Sequence, residues 1–285
     1  MEFIKLRANK KQTIYDVLIE NNFSQNIIKK LRKKEGYILL NDKIAYTNAI
    51  VKDGDIIKVI SNPESNSSVT PTYIPLDIVH EDENILIINK PSDLACIPTR
   101  SYPTHNLSSA VAYYMNSKDF VIRIINRLDK DTSGLVCVAK NHYTSNKLNK
   151  ARKFRKKYLA VCEGKILHNI VINKKILTEK NKDGFNEPKR IISDDGKSAI
   201  TYVRPIKIFN DKTLCEFELK HGRTHQIRLH MSYINHPLIG DTLYGNSSEL
   251  ISHTSLCCYK MCLNYFGKRL SIKAKLPKDI LNLLN

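Results

Sequence analysis

Asn126-Arg127-Leu128-Asp129-Lys130-Asp131-Thr132-Ser133-Gly134-Leu135 is the stretch on which the reading of this chain turns. Apolar runs flank it, Val121–Ile125 before and Leu135-Val136-Cys137-Val138 after. Both runs have the length and apolar character of short buried strands. The pattern is strand, charged loop, strand. Thr132 and Ser133 suit a turn, and Gly134 permits the positive φ that closes one. A polar loop held between two buried strands is where working side chains sit on a rigid scaffold. Taken alone the stretch is equally well a capped turn, so the segments around it decide.

Towards the N-terminus, Ile85–Ile88 reads as a buried strand leading into Asn89-Lys90-Pro91-Ser92-Asp93, and Leu107–Met115 as a helix. Towards the C-terminus a basic run, Lys150 to Lys157, enters Lys157-Tyr158-Leu159-Ala160-Val161-Cys162-Glu163-Gly164. Ala199–Pro205 and Leu214–Leu219 alternate as half-buried strands do. Beyond them lie His221-Gly222-Arg223-Thr224-His225-Gln226-Ile227-Arg228-Leu229-His230 and Gly240-Asp241-Thr242-Leu243-Tyr244-Gly245. Residues 73–285 are expected to form one α+β catalytic domain.

A different unit precedes it. The segment 62–72, Ser-rich and bounded by Pro63 and Pro71, holds too little apolar surface to fold and reads as a linker. Before it, Thr13 with Asp16 opens a helix over Ile14–Glu20, and Ser24 caps a second from Gln25 to about Glu35, with Gly36 placed to end it. Tyr37–Leu40 and Ile44–Tyr46 flank Asn41-Asp42-Lys43 as a hairpin, and Asp53-Gly54-Asp55 turns into a strand over Ile56–Ile60. Lys29, Lys30, Arg32 and Lys33 charge the second helix, while Ile27, Ile28 and Leu31 can face a core. Residues 1–61 are expected to be a small α/β domain.

Bulk charge points to a polyanion. Forty-six Lys and Arg against twenty-eight Asp and Glu leave a formal +18 in 285 residues. Each neutralised phosphate releases counterions, so such a surface favours nucleic acid. The seven cysteines form no CxxC pair, and most lie in apolar runs, so neither a disulfide framework nor a zinc site is expected. No apolar run approaches the ~20 residues of a membrane span, and no apolar stretch follows the first few residues as a secretory signal would. A cytoplasmic protein is expected.

Four motifs in order, Asn89-Lys90-Pro91-Ser92, Arg127-Leu128-Asp129 to Gly134, Lys157-Tyr158-Leu159-Ala160, and His221 to His230 with Gly240 to Gly245, resemble those of the RluA-type pseudouridine synthases of ribosomal RNA and tRNA. The likeness spans about residues 75–280. It implies a mainly antiparallel mixed sheet with the catalytic cleft across its middle. It makes Asp129 the catalytic aspartate, Tyr158 the active-site tyrosine, and Arg228 the arginine that pairs with Asp129. Arg127 becomes the residue that holds the target nucleotide out of its stack. Separately, residues 12–60 resemble a small RNA-binding domain first known from a ribosomal small-subunit protein. That likeness leans towards ribosomal RNA, with tRNA open; separately, a monomer is expected.

The chemistry suits these residue types. Pseudouridine formation breaks the bond from ribose to a ring nitrogen, turns the uracil, and joins a ring carbon to the same sugar. Nothing is oxidised and no atom is gained, so no cofactor is called for. A carboxylate is, either as a nucleophile towards sugar or base or to steady an electron-poor sugar. Tyr158 offers a ring face for stacking and a phenol able to move a proton. Lys90, Lys157, Arg223, His225 and Gln226 are expected against RNA, with the basic helix of the first unit.

Two positions depart from the usual pattern of that family, Asn126 where it has His and Asp93 where it has Gly. Other readings remain. Asp129-Lys130-Asp131-Thr132-Ser133 approaches the D-x-D-x-T loop of magnesium phosphatases, with Asp194 and Asp195 as further ligands, although Ser133 stands where Thr belongs. His221, His225 and His230 invite a metal, but no Glu lies between the first two, and no metal is expected. An RNA-binding factor without activity explains the charge but not the company of Asp129, Tyr158 and Arg228.

Overall fold

A computed structural model describes residues 3–60, 69–116, 121–150, 154–179 and 189–284. The first of these segments carries β1 (Phe3–Arg7), β2 (Gln12–Thr13), α1 (Ile14–Glu20), α2 (Gln25–Leu31), β3 (Ile38–Leu40), β4 (Lys43–Ile44), β5 (Ile50–Val51) and β6 (Ile56–Ile60). An antiparallel sheet runs in the order β1, β6, β3, β4, and β2 pairs with β5. α1 starts at the expected residue because its cap is reciprocal. Thr13 Oγ1 accepts from the Asp16 amide, and the Asp16 carboxylate accepts from the Thr13 amide. Ser24 caps α2 in the same sense.

α2 is shorter than expected, ending at Leu31 rather than near Glu35. Arg32 leaves the helix so that its Nε can donate to Thr47 Oγ1 at 2.8 Å, with the guanidinium over the Tyr15 ring. Gly36, at φ 79°, then serves the following turn. Ile27, Ile28 and Leu31 join Ile14, Leu18 and Phe23 in a core of this unit's own, leaving Lys29, Lys30, Arg32 and Lys33 exposed.

The remaining chain carries β7 (Ile78–Glu81), β8 (Ile85–Lys90), α3 (Leu107–Met115), β9 (Arg123–Ile124), β10 (Ser133–Ala139), α4 (His142–Lys150), β11 (Arg155–Glu163), β12 (Ile170–Asn173), β13 (Ile176–Thr178), β14 (Arg190–Ile192), β15 (Ile200–Phe209), β16 (Lys212–Leu219), α5 (Gln226–Tyr233), β17 (Leu256–Tyr265), β18 (Lys268–Lys273) and α6 (Lys278–Asn282). Its main sheet has ten strands. Eight run in the order β12, β15, β16, β11, β17, β10, β8, β7, with β18 added to β17 and β9 to β10. Every pair is antiparallel except β10 with β17, so the fold is α+β around a mixed, mostly antiparallel sheet. Most of the expected 62–72 linker lies outside the described residues.

β10 is buried along its whole length, and Gly134 explains how it can lie beside β17. A Cβ there would come within 2.4 Å of the Cys258 carbonyl oxygen, and the residue sits at φ 108°. Only glycine fits such a backbone approach. The two units touch through Phe23, whose ring meets His142 at 4.9 Å and Tyr143 at 5.4 Å. Among the described residues no helix is long and apolar enough to cross a membrane.

Candidate active site

A cleft of roughly 1410 Å³ opens over the middle of the large sheet. Three parts of its wall are the 125–132 loop, the first half of β11 and the first turn of α5, and these bring Arg127, Asp129, Tyr158 and Arg228 together. Position 129 is held from below. The Thr132 amide donates to the Asp129 carbonyl, closing the turn. Lys90, fully buried at 0% exposure, donates from Nζ to the carbonyls of Pro91 (2.7 Å), Leu94 (2.8 Å) and Lys130 (3.0 Å). Burial lowers the Lys90 ammonium to about 8. The Cys96 thiol adds a second stitch, accepting from the Leu128 amide and donating to its carbonyl.

Asp129 itself makes no ion pair among the described residues, and Lys90, Lys156 and Arg228 all lie within electrostatic reach of it. It is half-buried, with its carboxylate set among positive charges rather than locked onto one. The expected partner is engaged elsewhere. Arg228 donates from Nε to Asp241 Oδ2 at 2.8 Å and from a terminal nitrogen to Oδ1 at 2.7 Å. Asp241, at 0% exposure, also accepts from the Leu243 and Tyr244 amides. A buried bidentate pair of this kind aims a guanidinium and holds it still. Tyr158 lies on the same face of the sheet, and burial first, then Cys258 and Asp129, raises its phenol well above the ordinary range. The hydroxyl therefore stays protonated at neutral pH.

A profile of the family described as RNA pseudouridylate synthase matches residues 84–233, more than half of the chain, and its span includes Asp129, Tyr158 and Arg228. The chain belongs to that family. An uncharacterised RNA pseudouridine synthase of Bacillus subtilis (strain 168) is 34% identical over 86% of this chain and 83% of its own length. A protein of Rickettsia felis named ribosomal large subunit pseudouridine synthase C is 35% identical over 89% of each chain. One of Neisseria meningitidis named ribosomal large subunit pseudouridine synthase D is 32% identical over 88% of this chain and 72% of its own. Among solved structures, human RNA pseudouridylate synthase domain containing 1 superposes with a TM-score of 0.59 at 22% identity, over 70% of this chain and 83% of that one, a likeness of fold. The protein is thus an RNA pseudouridine synthase, an isomerase.

Within the synthase several expected site residues take other work. Arg228 is paired with Asp241, not with Asp129, because a carboxylate from the loop that follows α5 reaches it with two oxygens inside the core. Lys90 cannot meet RNA phosphate, since all three of its protons are spent on carbonyls in the interior. Gln226 is buried, donating to Ile200 O and Thr201 Oγ1 and accepting from the Arg223 amide. His225 is buried too, at φ 55°, with Nδ1 against the Tyr244 hydroxyl. Lys157 is not in the cleft wall, and Glu216 and Glu218 neutralise it. Arg127 and Arg223 remain exposed at the cleft.

The two departures from the family pattern have structural roles. Asn126 is buried, its Oδ1 accepting from the Cys137 amide at 2.9 Å and its Nδ2 donating to the Leu135 carbonyl. Asp93 sits at φ 61° and pairs with Lys130 at 2.7 Å, whose Nζ also donates to the Tyr102 hydroxyl. That bridge ties the 93–102 wall of the cleft to the 127–132 loop. The rival readings lose their geometry. His230 is interior, with Nε2 donating to the Lys174 carbonyl and Nδ1 facing Thr201, and burial lowers its pKa. No three His, Cys, Asp or Glu among the described residues converge as metal ligands, and Asp194 and Asp195 are not in the cleft wall. Asp241 is the residue that sequence reasoning passed over. Its signal was present, a buried-type turn Gly240-Asp241-Thr242 thirteen residues after Arg228, but nothing local says which cation the carboxylate meets.

Proposed function

We propose that the synthase isomerises uridine in structured ribosomal RNA, with the Asp129 carboxylate as the reacting group. The observation that carries the reading is the meeting of Asp129, Tyr158 and Arg228 in one cleft from three separate elements. Asp129 meets the sugar or the base of a uridine drawn out of its helix, at a cost of a few kcal/mol. Arg228, aimed by Asp241, fixes the field around the carboxylate, and Tyr158 offers its ring face to the freed uracil. Arg127, exposed two residues before Asp129, fills the vacated stack, and Arg223 contacts the flanking backbone.

Residues 73–285 act as the catalytic domain and residues 1–61 as an RNA-binding domain joined through 62–72. Support comes from the separate core of the first unit and from the exposed basic stretch made by Lys29 and Lys30 at the end of α2 with Arg32 and Lys33 just beyond it. Ribosomal RNA as substrate is supported by the relatives whose names specify the ribosomal large subunit. The test is to map pseudouridines across total RNA from cells with the protein, without it, and with Asp129→Asn alone. A ribosomal site lost in the latter two supports the reading. Full modification by the Asp129→Asn protein removes Asp129 from the mechanism, and loss confined to tRNA removes the ribosomal substrate.

A further inference from the structure

We infer that Lys156 is a further catalytic residue of the synthase, an ammonium that meets the carbonyl oxygens of the uracil as it detaches from the sugar. The inference rests on the placement of the target uracil between Asp129 and Tyr158. Along the entry to β11, Phe154, Lys156 and Tyr158 alternate onto one face, as residues two apart on a strand do, and all three line the cleft. The Lys156 ammonium lies 6.0 Å from the centre of the Tyr158 ring and 5.9 Å from that of Phe154. A base brought against Tyr158 therefore comes within a few ångströms of this charge, on the side of the ring that the ammonium overlooks.

Its state differs from that of the paired cations around it. Lys157 is neutralised by Glu216 and Glu218, Lys130 by Asp93, and Arg228 by Asp241. Among the described residues Lys156 makes no ion pair, although it is half-buried. Burial lowers its pKa, opposed by Cys258 and Asp129. Removing a cation from water without giving it a carboxylate is costly unless something else arrives to meet it. An anion formed during the reaction does so.

Electron counting identifies that anion. When the bond from sugar C1′ to ring N1 breaks, the bonding pair stays on the ring and spreads to O2 and O4. The bond from C1′ to C5 then forms, C5 loses its proton, and N1 gains one. Lys156 donates a hydrogen bond to a ring oxygen while the charge exists and keeps its own proton throughout. Its contribution is electrostatic and is present only between the two covalent states.

Single-turnover rates and RNA affinity of Lys156→Met, Lys156→Arg and Lys157→Met, measured on one uridine-containing transcript, test this. Removal of one such donor lowers rates by about 10²–10³. Lys156→Met is expected to fall by that factor at saturating enzyme, with its dissociation constant for RNA within about threefold of the parent. Lys156→Arg should recover to within about tenfold of the parent, and Lys157→Met should keep the parent rate. If Lys156→Met does not fold, Lys156→Gln replaces it. A saturated rate within threefold of the parent for the Met or Gln variant, whether or not RNA binding weakens, overturns the inference. Asp129→Asn runs alongside: its inactivity with an active Lys156→Met sinks the role of Lys156 alone, and its activity sinks the underlying reading.

Discussion

Asp241→Asn isolates the buried pair on which the aim of Arg228 depends. The substitution keeps the shape and removes the charge. Its carbonyl oxygen can still accept from the Leu243 and Tyr244 amides and from the terminal guanidinium nitrogen, but an NH2 group then faces Arg228 Nε, which previously donated over 2.8 Å. With both partners at or below 5% exposed, water cannot replace the lost carboxylate. Breaking a buried pair by removing one partner costs about 3–5 kcal/mol, most of it for the charge left behind. At about 2–4 °C per kcal/mol for a domain of this size, the melting temperature should fall by roughly 6–20 °C. Circular dichroism during heating reads this directly. A second variant, Arg228→Met with Asp241→Leu, removes both charges and should regain most of the stability, since apolar replacements of whole buried pairs are often neutral. That double variant should remain inactive in single-turnover assay. A melting temperature within about 2 °C of the parent for Asp241→Asn would refute the energetic argument, and an active double variant would refute the role of Arg228's charge.

Two further outcomes follow from charges outside that pair. Burial raises Glu216, but donation from Tyr259, Arg204 and Lys157 outweighs it and holds the carboxyl down to about 2. A folded pKa below the unfolded value of about 4.5 gives stability that is complete above that value and is lost as pH falls towards 2, worth about 3 kcal/mol. Glu216→Gln should therefore be destabilised by about that amount at pH 7 and converge on the parent in acid unfolding near pH 2; a pH-independent difference would contradict it. At Asp93, replacement by Gly relieves a left-handed backbone while losing a surface pair with Lys130, effects of about 1 kcal/mol each and opposite sign. Asp93→Gly should melt within a few degrees of the parent, and a loss above about 2 kcal/mol in urea titration would show that the bridge holds more of the cleft than its exposure suggests.

Elements whose causes are local were legible from the chain alone. α1 follows from Thr13 and Asp16, α3 appears over the expected Leu107–Met115, and the apolar runs on both sides of the Asp129 loop are strands, the first of them shortened to Arg123–Ile124. α2 was overrun because its end is decided by Thr47 and Tyr15, neither of which is near it in sequence.

The same division runs through the site. Sequence by itself determined that a carboxylate would stand in a charged loop between buried strands, and the likeness of its ordered motifs to those of the synthase family implied that Tyr158 and Arg228 belonged with it. Only the tertiary structure decided how the cations are used. Lys90 turned inward to carbonyls, Lys157 to Glu216 and Glu218, and Arg228 to Asp241, while Lys156, among the described residues, makes no ion pair. A charge finds its partner by which face of a sheet it leaves and what packs there, and those distances exist only after the strands have paired.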